Sequence, residues 1–415
     1  MLRGVLRKMN EGADNTTFAR GQEPEPGHPG ASDLGAATIL QVLPAMGAGG
    51  GVERGTVEIA GAIAARGGRA LVASNGGASV HELKRVKAEH IEMPVHSKNP
   101  FVMYANIRRL EKLIRDEGVD IVHARSRAPA WSACFAAKRA GVPFVTTFHG
   151  TYSAGNALKR KYNSVMAKGE RVIAISKFIG GHLHQIYGVP AAKIRIIHRG
   201  VNLERFDPAK VSAERVTELA SDWRLEDGFP VVMLPGRLTR WKGQVMFIAA
   251  IAKMERRDLR CLLVGGDQGR TEYRRELENL VNSRGLGEIV RIVDHCDDMP
   301  AAYMLTDVVV SASTDPEAFG RILVEAQAMG RPVVASDHGG ARETVIEGET
   351  GWLFPPGDVE ALAATLGKVL GMSRETRSAL AEKAIANVAR NFSKQGMCDK
   401  TLDVYREVLE LKADA

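Results

Sequence analysis

Arg237 and, five positions later, Lys242 stand in the run Pro235-Gly236-Arg237-Leu238-Thr239-Arg240-Trp241-Lys242-Gly243, directly after the β-branched stretch at 231–234. A strand end that delivers a guanidinium fork, followed by an ammonium at the start of a helix, can clamp a diphosphate. An Arg and a Lys on one loop are ordinarily just solvated, so the reading needs context. Downstream, Asp315-Pro316-Glu317-Ala318-Phe319-Gly320-Arg321 leads into an apolar helical stretch that contains Glu325. Glu317 in the loop and Glu325 on the helix could accept hydrogen bonds from two hydroxyl-bearing parts of one extended ligand. Glu325 falls among Ile322, Leu323, Val324, Ala326 and Ala328, where a carboxylate needs a partner to be tolerated.

Nearer the amino terminus, Gly47-Ala48-Gly49-Gly50-Gly51 follows an apolar run and precedes a helical segment. Glycines let the backbone approach an anion, and a helix N-terminus offers unpaired N–H groups, so a phosphate site fits; a tight turn is the plainer alternative. The spacing is not GxGxxG, and Ser74-Asn75-Gly76-Gly77 stands where a dinucleotide site would place an acid, which disfavours that class. Thr147-Phe148-His149-Gly150 puts an imidazole at a strand end, a location that by itself says nothing about its pKa and favours a positioning group over a base.

The elements that must hold these residues are legible as alternation. Short β-branched runs at 38–43, 70–74, 121–123, 143–147, 172–175 and 194–197 alternate with helical segments such as 107–115 and 128–140. A second array has runs at 231–234, 261–264, 290–292, 308–311 and 333–336. Alternation of this kind predicts parallel sheets with helices on both faces, so two doubly wound α/β domains in tandem, with ligands beyond the carboxyl ends of the strands and a cleft between the domains. The expected division is a disordered leader at 1–35, rich in Pro and Gly; an amino-terminal domain at 36–202; and a carboxy-terminal domain at 203–395. A linker is expected near 200–208, and a last helix at 396–412 is expected to return to the first domain.

Length (415 residues) and composition, 45% hydrophobic and 25% charged, exclude a disordered, collagenous or coiled-coil chain. The four cysteines, Cys134, Cys261, Cys296 and Cys398, lie far apart without CxxC spacing, which fits a reducing compartment and neither disulfides nor structural zinc. No run is apolar for long enough to span a bilayer, and the start MLRGVLRKMN lacks the apolar core of a secretory signal. Net charge is +7, yet residues 101–200 hold 17 Lys and Arg against 5 Asp and Glu. Such a stretch attracts phosphate or an anionic membrane face; without interleaved aromatics or a known module, nucleic acid is not expected.

These motifs, with Ile197-His198-Arg199-Gly200-Val201-Asn202 and Asp337-His338-Gly339-Gly340 before Glu343, stand in the order found in glycosyltransferase family 4, which the chain resembles over roughly residues 38–412. The resemblance implies the GT-B fold, two Rossmann-like domains facing across a cleft, and retaining transfer of a hexose-type sugar from a UDP- or GDP-sugar. It implies that Arg237 and Lys242 hold the donor diphosphate, Glu317 the donor sugar and Glu325 the ribose. Backbone groups at Gly50, Gly51, Gly236, Phe319, Gly320 and Arg321 would also meet the donor, and His149 would lie near the reacting sugar. Base recognition would come from backbone near 264–267 and 295–299. Arg199 stands where the family commonly has Asn, and His338 where a small residue is usual.

Breaking a bond from an anomeric carbon to a diphosphate leaves about two units of charge on the leaving group, so cations at the phosphates lower the barrier most. Asp297-Asp298 are adjacent and no DxD occurs in a suitable loop, so metal-independent transfer without a cofactor is expected. On the acceptor side the basic residues are Arg125 and Arg127, Lys138 and Arg139, Lys159, Arg160 and Lys161, and Arg199. A lipid-linked or envelope glycan acceptor, such as lipopolysaccharide core, capsule precursor or glycolipid, would suit them, with the enzyme cytoplasmic and peripheral on the inner membrane face. Two other readings stay open: a sugar-nucleotide 2-epimerase of the same fold, and a membrane-associated binder of nucleotide sugar that has lost turnover.

Overall fold

The computed structural model describes residues 34–47, 50–152, 157–225 and 227–414. The chain divides into two compact units, Met1–Arg199 with Gln395–Ala415, and Gly200–Lys394.

In the first unit the chain runs β1 (Thr38–Val42), α1 (Gly51–Ala65), β2 (Arg69–Ser74), α2 (Val80–Arg85), β3 (Glu89–Glu92), α3 (Pro100–Asp116), β4 (Ile121–Ala124), α4 (Arg127–Ala140), β5 (Phe144–Phe148), α5 (Ala157–Asn163), β6 (Arg171–Ala174), α6 (Lys177–Tyr187) and β7 (Ile194–Ile196). The sheet is wholly parallel in the order β3-β2-β1-β4-β5-β6-β7. Both faces are covered, so central strands such as Thr38–Val42 are buried along their whole length. α1 buries Val57, Ile59, Ala60 and Ile63 on one face. Local signals set the helix ends: Asn99 caps Phe101 N–H at 2.9 Å with Pro100 following, Ser176 caps Ile179 N–H at 3.1 Å, and Gly188 closes α6 at φ 66°.

The second unit runs α7 (Ala213–Asp222), β8 (Val231–Pro235), α8 (Gln244–Lys253), β9 (Arg260–Val264), α9 (Thr271–Ser283), β10 (Val290–Val293), α10 (Met299–Met304), β11 (Val308–Ser311), α11 (Arg321–Ala328), β12 (Val333–Ser336), α12 (Ala341–Thr344), β13 (Gly351–Phe354), α13 (Val359–Leu370) and α14 (Arg374–Asn391). Its parallel sheet has the order β10-β9-β8-β11-β12-β13. Its core joins Val232, Leu234, Phe247, Leu263, Val310, Val334 and Phe354. The order reverses beside β1 in one sheet and β8 in the other, the switch point where such sheets bind ligands.

The last helix, α15 (Lys394–Ala413), buries Leu402, Tyr405 and Val408 in the core of the first unit with Ile39, Ile121 and Val145. Glu407 on α15 accepts from Arg171 Nε at 2.6 Å and Arg195 Nε at 2.9 Å. The outgoing chain at Val201 pairs with the returning one: Val201 N–H donates to Phe392 O at 2.8 Å and Lys394 N–H to Val201 O at 2.9 Å. Gly200 is required there, because a Cβ would overlap the Lys394 backbone. Among the described residues no helix is long and apolar enough to cross a membrane.

Three sequence expectations change. Two strands went unread, β3 and β13, both at sheet edges. β3, Glu-His-Ile-Glu, has exposed ends and no apolar run, and β13 opens on glycine. Leu34, placed in the leader, is buried with the first core and its N–H reaches Arg66 O at 3.4 Å; residues 1–33 lie outside the described residues. Arg125, grouped with the basic surface, is 5% exposed.

Candidate active site

In the second unit the chemistry gathers at the carboxyl ends of β8 and β11. β8 ends at Pro235, and Gly236, at φ 145° where other residues are strained, turns the chain while its N–H donates to Val264 O at 2.8 Å. Arg237 follows, exposed and without an ion-pair partner among the described residues. Residues 240–242 form one 3₁₀ turn that swings Lys242 back inward, its Nζ 4.6 Å from the Trp241 ring centre. There Nζ donates to Glu317 Oε1 at 2.7 Å, with only 12% and 14% of the two side chains exposed. The same oxygen accepts from Ser313 Oγ at 2.6 Å and Ser311 Oγ at 3.2 Å. Burial pushes the Glu317 carboxyl up, but Lys242 and the two serines outweigh it and hold the group below the usual carboxylate range.

Around this cluster the backbone is packed glycine against main chain. Gly340 N–H donates to Glu317 O at 2.8 Å, and a Cβ at Gly339 or Gly340 would overlap the Glu317 or Phe319 backbone. His338 Nε2 meets Ser313 O at 2.8 Å and so braces the loop that carries Ser313. Phe319 is buried edge-on against Phe392, their ring centres 5.8 Å apart. Gly320, at φ 83°, starts α11 without a side-chain cap. Glu325 finds the partners its apolar helix demanded: Arg321 Nε at 2.9 Å and the buried Tyr303 hydroxyl at 3.3 Å. Burial first, then the charge of Glu325, raises Tyr303 well above the usual phenol range, so it is a constant donor.

In the first unit, Gly50 stands before α1 with no side-chain cap, and a Cβ there would collide with the Glu53 carboxylate. Arg199 Nη1 donates to Gly51 O at 2.7 Å and Nη2 lies 2.9 Å from His149 Nδ1. Burial, then Arg199, Arg125 and His123, hold the His149 pKa well below the usual imidazole range. Arg125 donates to Gln41 Oε1 at 3.2 Å from beneath α1, where Gly55 leaves room for it. Lys159, Arg160 and Lys161 lie on α5, which is exposed over 157–161. Asp297 and Asp298 separate: Asp298 accepts from Arg215 at 2.6 and 2.8 Å, and Asp297 from His295 at 3.1 Å.

Two adjoining family models match the chain, Glycosyltransferase Family 4 over residues 49–205 and Glycosyl transferases group 1 over 216–387. The D-inositol 3-phosphate glycosyltransferase of Salinispora tropica is 30% identical over 329 residues, 74% of this chain and 67% of the relative. The chain belongs to glycosyltransferase family 4. This family 4 glycosyltransferase also resembles a solved glycosyltransferase from Rickettsia africae, at 38% identity and TM-score 0.83, covering 90% of this chain and 99% of that one. Anabaena HepE, solved with UDP and glucose, shares the fold at 23% identity and TM-score 0.77, over 89% and 100% of the two chains.

Within the glycosyltransferase, the structure joins residues that were read apart. Lys242 and Glu317 are partners, as are Arg321 and Glu325. Sequence reasoning missed Ser311, Ser313, Tyr303 and the bracing role of His338. The one available signal was the polar pair Ser311 and Ser313 at the end of an otherwise apolar strand.

Proposed function

We propose that the chain transfers a hexose-type sugar from a UDP- or GDP-sugar to a phosphate-bearing, lipid-linked acceptor, with retention of configuration and without a metal or other cofactor. The reading rests on Arg237 and Lys242 at the switch-point end of β8, one exposed and one largely buried against Glu317. As the bond from the anomeric carbon to the diphosphate oxygen breaks, charge grows on the diphosphate and these cations stabilise it. The acceptor hydroxyl attacks on the same face and its proton passes to a leaving phosphate oxygen, so no protein base is required. In this reading Glu317 orients the sugar hydroxyls, Glu325 the ribose, and backbone at Gly236, Phe319, Gly320 and Arg321 the sugar and phosphates; Gly50 and Gly51 add N–H groups.

The acceptor falls to the first unit and its basic residues Lys159, Arg160, Lys161 and Arg199; Arg125, enclosed beneath α1, is not among them. A peripheral position on the cytoplasmic face of a membrane is supported by Phe101 (85% exposed), Leu158 (80%) and Tyr104 (52%), each close in sequence to basic residues on α3 or α5. α4 ties the two segments together, with Ser132 Oγ donating to Met103 O at 2.9 Å and Trp131 Nε1 to Tyr162 O at 2.9 Å. The name of the Salinispora relative favours a second reading, a free phosphorylated polyol as acceptor.

A thermal-shift panel of UDP-, GDP- and ADP-sugars identifies the donor, since a ligand of the folded state raises Tm with its affinity. Transfer is then measured from the radiolabelled donor to lipid-linked glycans and to D-inositol 3-phosphate. Glycoside on a lipid product supports the first reading, and glycoside only on the inositol phosphate supports the second. A new nucleotide sugar without transfer would mean an epimerase, and binding without turnover a binder.

A further inference from the structure

Arg199 occupies the first unit between two groups that the sequence leaves far apart, Gly51 at the start of α1 and His149 just beyond β5. One guanidinium nitrogen donates to Gly51 O at 2.7 Å, which fixes the plane of the fork, and the other lies 2.9 Å from His149 Nδ1. A guanidinium has donors only and keeps its charge at every accessible pH. The hydrogen bond therefore has one possible polarity: Nδ1 accepts, and the ring proton sits on Nε2. An imidazolium would set N–H against N–H and cation against cation at that distance. The surroundings act in the same sense, because burial and the charges of Arg199 and Arg125 all disfavour the protonated ring.

The other face of the ring completes the argument. His149 Nε2 is shielded from solvent and has no hydrogen-bond partner among the described residues. A buried N–H left without an acceptor costs about 1–3 kcal/mol. At the carboxyl edge of the sheet, where such folds bind ligands, an N–H in that condition can donate to an oxygen that arrives with substrate.

We propose that Arg199 is a positioning residue that locks His149 as its Nε2–H tautomer, so that His149 serves glycosyl transfer as a hydrogen-bond donor to a substrate oxygen and never as a general base. The role in transfer rests on the function proposed above; the tautomer does not. The chain's departure from the family's Asn at position 199 then has a specific effect, since an Asn amide can donate or accept and imposes no single tautomer.

The first test is independent of any substrate. Long-range proton–nitrogen correlation spectra of the ligand-free protein labelled with ¹⁵N-histidine, with the His149 signals assigned by their loss in His149→Gln, are expected to show unprotonated Nδ1 and protonated Nε2 at neutral pH. Arg199→Lys keeps a cationic donor and is expected to keep this pattern, whereas Arg199→Met is expected to give exchange-averaged nitrogens and a higher His149 pKa. Protonated Nδ1, or an imidazolium, in the wild type would overturn the proposal even if sugar transfer stands.

The second test reads turnover. His149→Gln retains an N–H donor but no base and is expected to keep kcat within about tenfold of wild type, while His149→Leu loses about a hundredfold or more, the range for one positioned donor. Equal losses in the Gln and Leu variants, both folded by circular dichroism, would sink the donor role.

Discussion

Lys242 Nζ and Glu317 Oε1 form a 2.7 Å ion pair with both side chains largely out of solvent. If Lys242 holds the donor diphosphate as proposed, the phosphate must compete with the Glu317 carboxylate, which Ser311 and Ser313 also hold. Lys242→Ala should cost about 3 kcal/mol or more of transition-state stabilisation, a hundredfold or greater loss in kcat. Lys242→Met removes the charge and the hydrogen bond that lower the Glu317 pKa most, so it should rise, read by carbon NMR of labelled glutamate. Turnover within a few-fold of wild type would remove Lys242 from the leaving-group role.

Glu325 is held at both oxygens, by Arg321 and by Tyr303. If it also receives the ribose, Glu325→Ala should weaken UDP or GDP binding about tenfold or more, the worth of a hydrogen bond to a charged group. Calorimetry that finds nucleotide affinity unchanged would move the ribose contact elsewhere.

Gly340 is pressed against the Glu317–Phe319 main chain. Gly340→Ala must displace that segment, at about 1–3 kcal/mol of stability, and donor affinity should fall with it. An unshifted urea midpoint together with unchanged donor affinity would show that the loop gives way freely.

His182 lies among Phe148 and Tyr187 with neither ring nitrogen hydrogen-bonded among the described residues, and burial lowers its pKa to about 4. The unfolded chain takes up the proton near pH 6.5 while the folded one does not until about pH 4. Its contribution is therefore complete above 6.5 and lost as pH falls toward 4, on the order of 3 kcal/mol. Urea titrations across that window should show a shallower decline for His182→Leu than for wild type; parallel profiles would contradict this.

Phe101 and Leu158 expose large apolar side chains beside basic residues. The double variant Phe101→Ser with Leu158→Ser should bind vesicles containing anionic lipid at least about tenfold more weakly, given about 1.5–3 kcal/mol for burying one such side chain. Binding to neutral vesicles should be weak in both proteins. Sedimentation in which the wild type ignores anionic lipid across salt would remove the membrane from the proposal.

Chelation gives a further check. Treatment with EDTA should leave turnover intact if Arg237 and Lys242 carry the leaving-group charge alone. Loss restored by manganese would place a metal in the reaction.

Alternation of β-branched runs with amphipathic stretches was enough to read eleven strands and the doubly wound class, because whether a short segment is extended or helical is settled by contacts within a few residues. The edge strands β3 and β13 escaped, since an edge does not need the apolar run that burial on both faces imposes on a centre. Residue types and order likewise marked Arg237, Lys242, Glu317 and Glu325 as a set. Partnership was invisible. Lys242 and Glu317 are 75 positions apart and Arg199 and His149 are 50, and Arg125, one cation among many in a basic half, is enclosed under α1 because Gly55 happens to face it. A charge's chemistry depends on its solvent and its nearest opposite, and both are properties of segments that meet only after the sheets have formed.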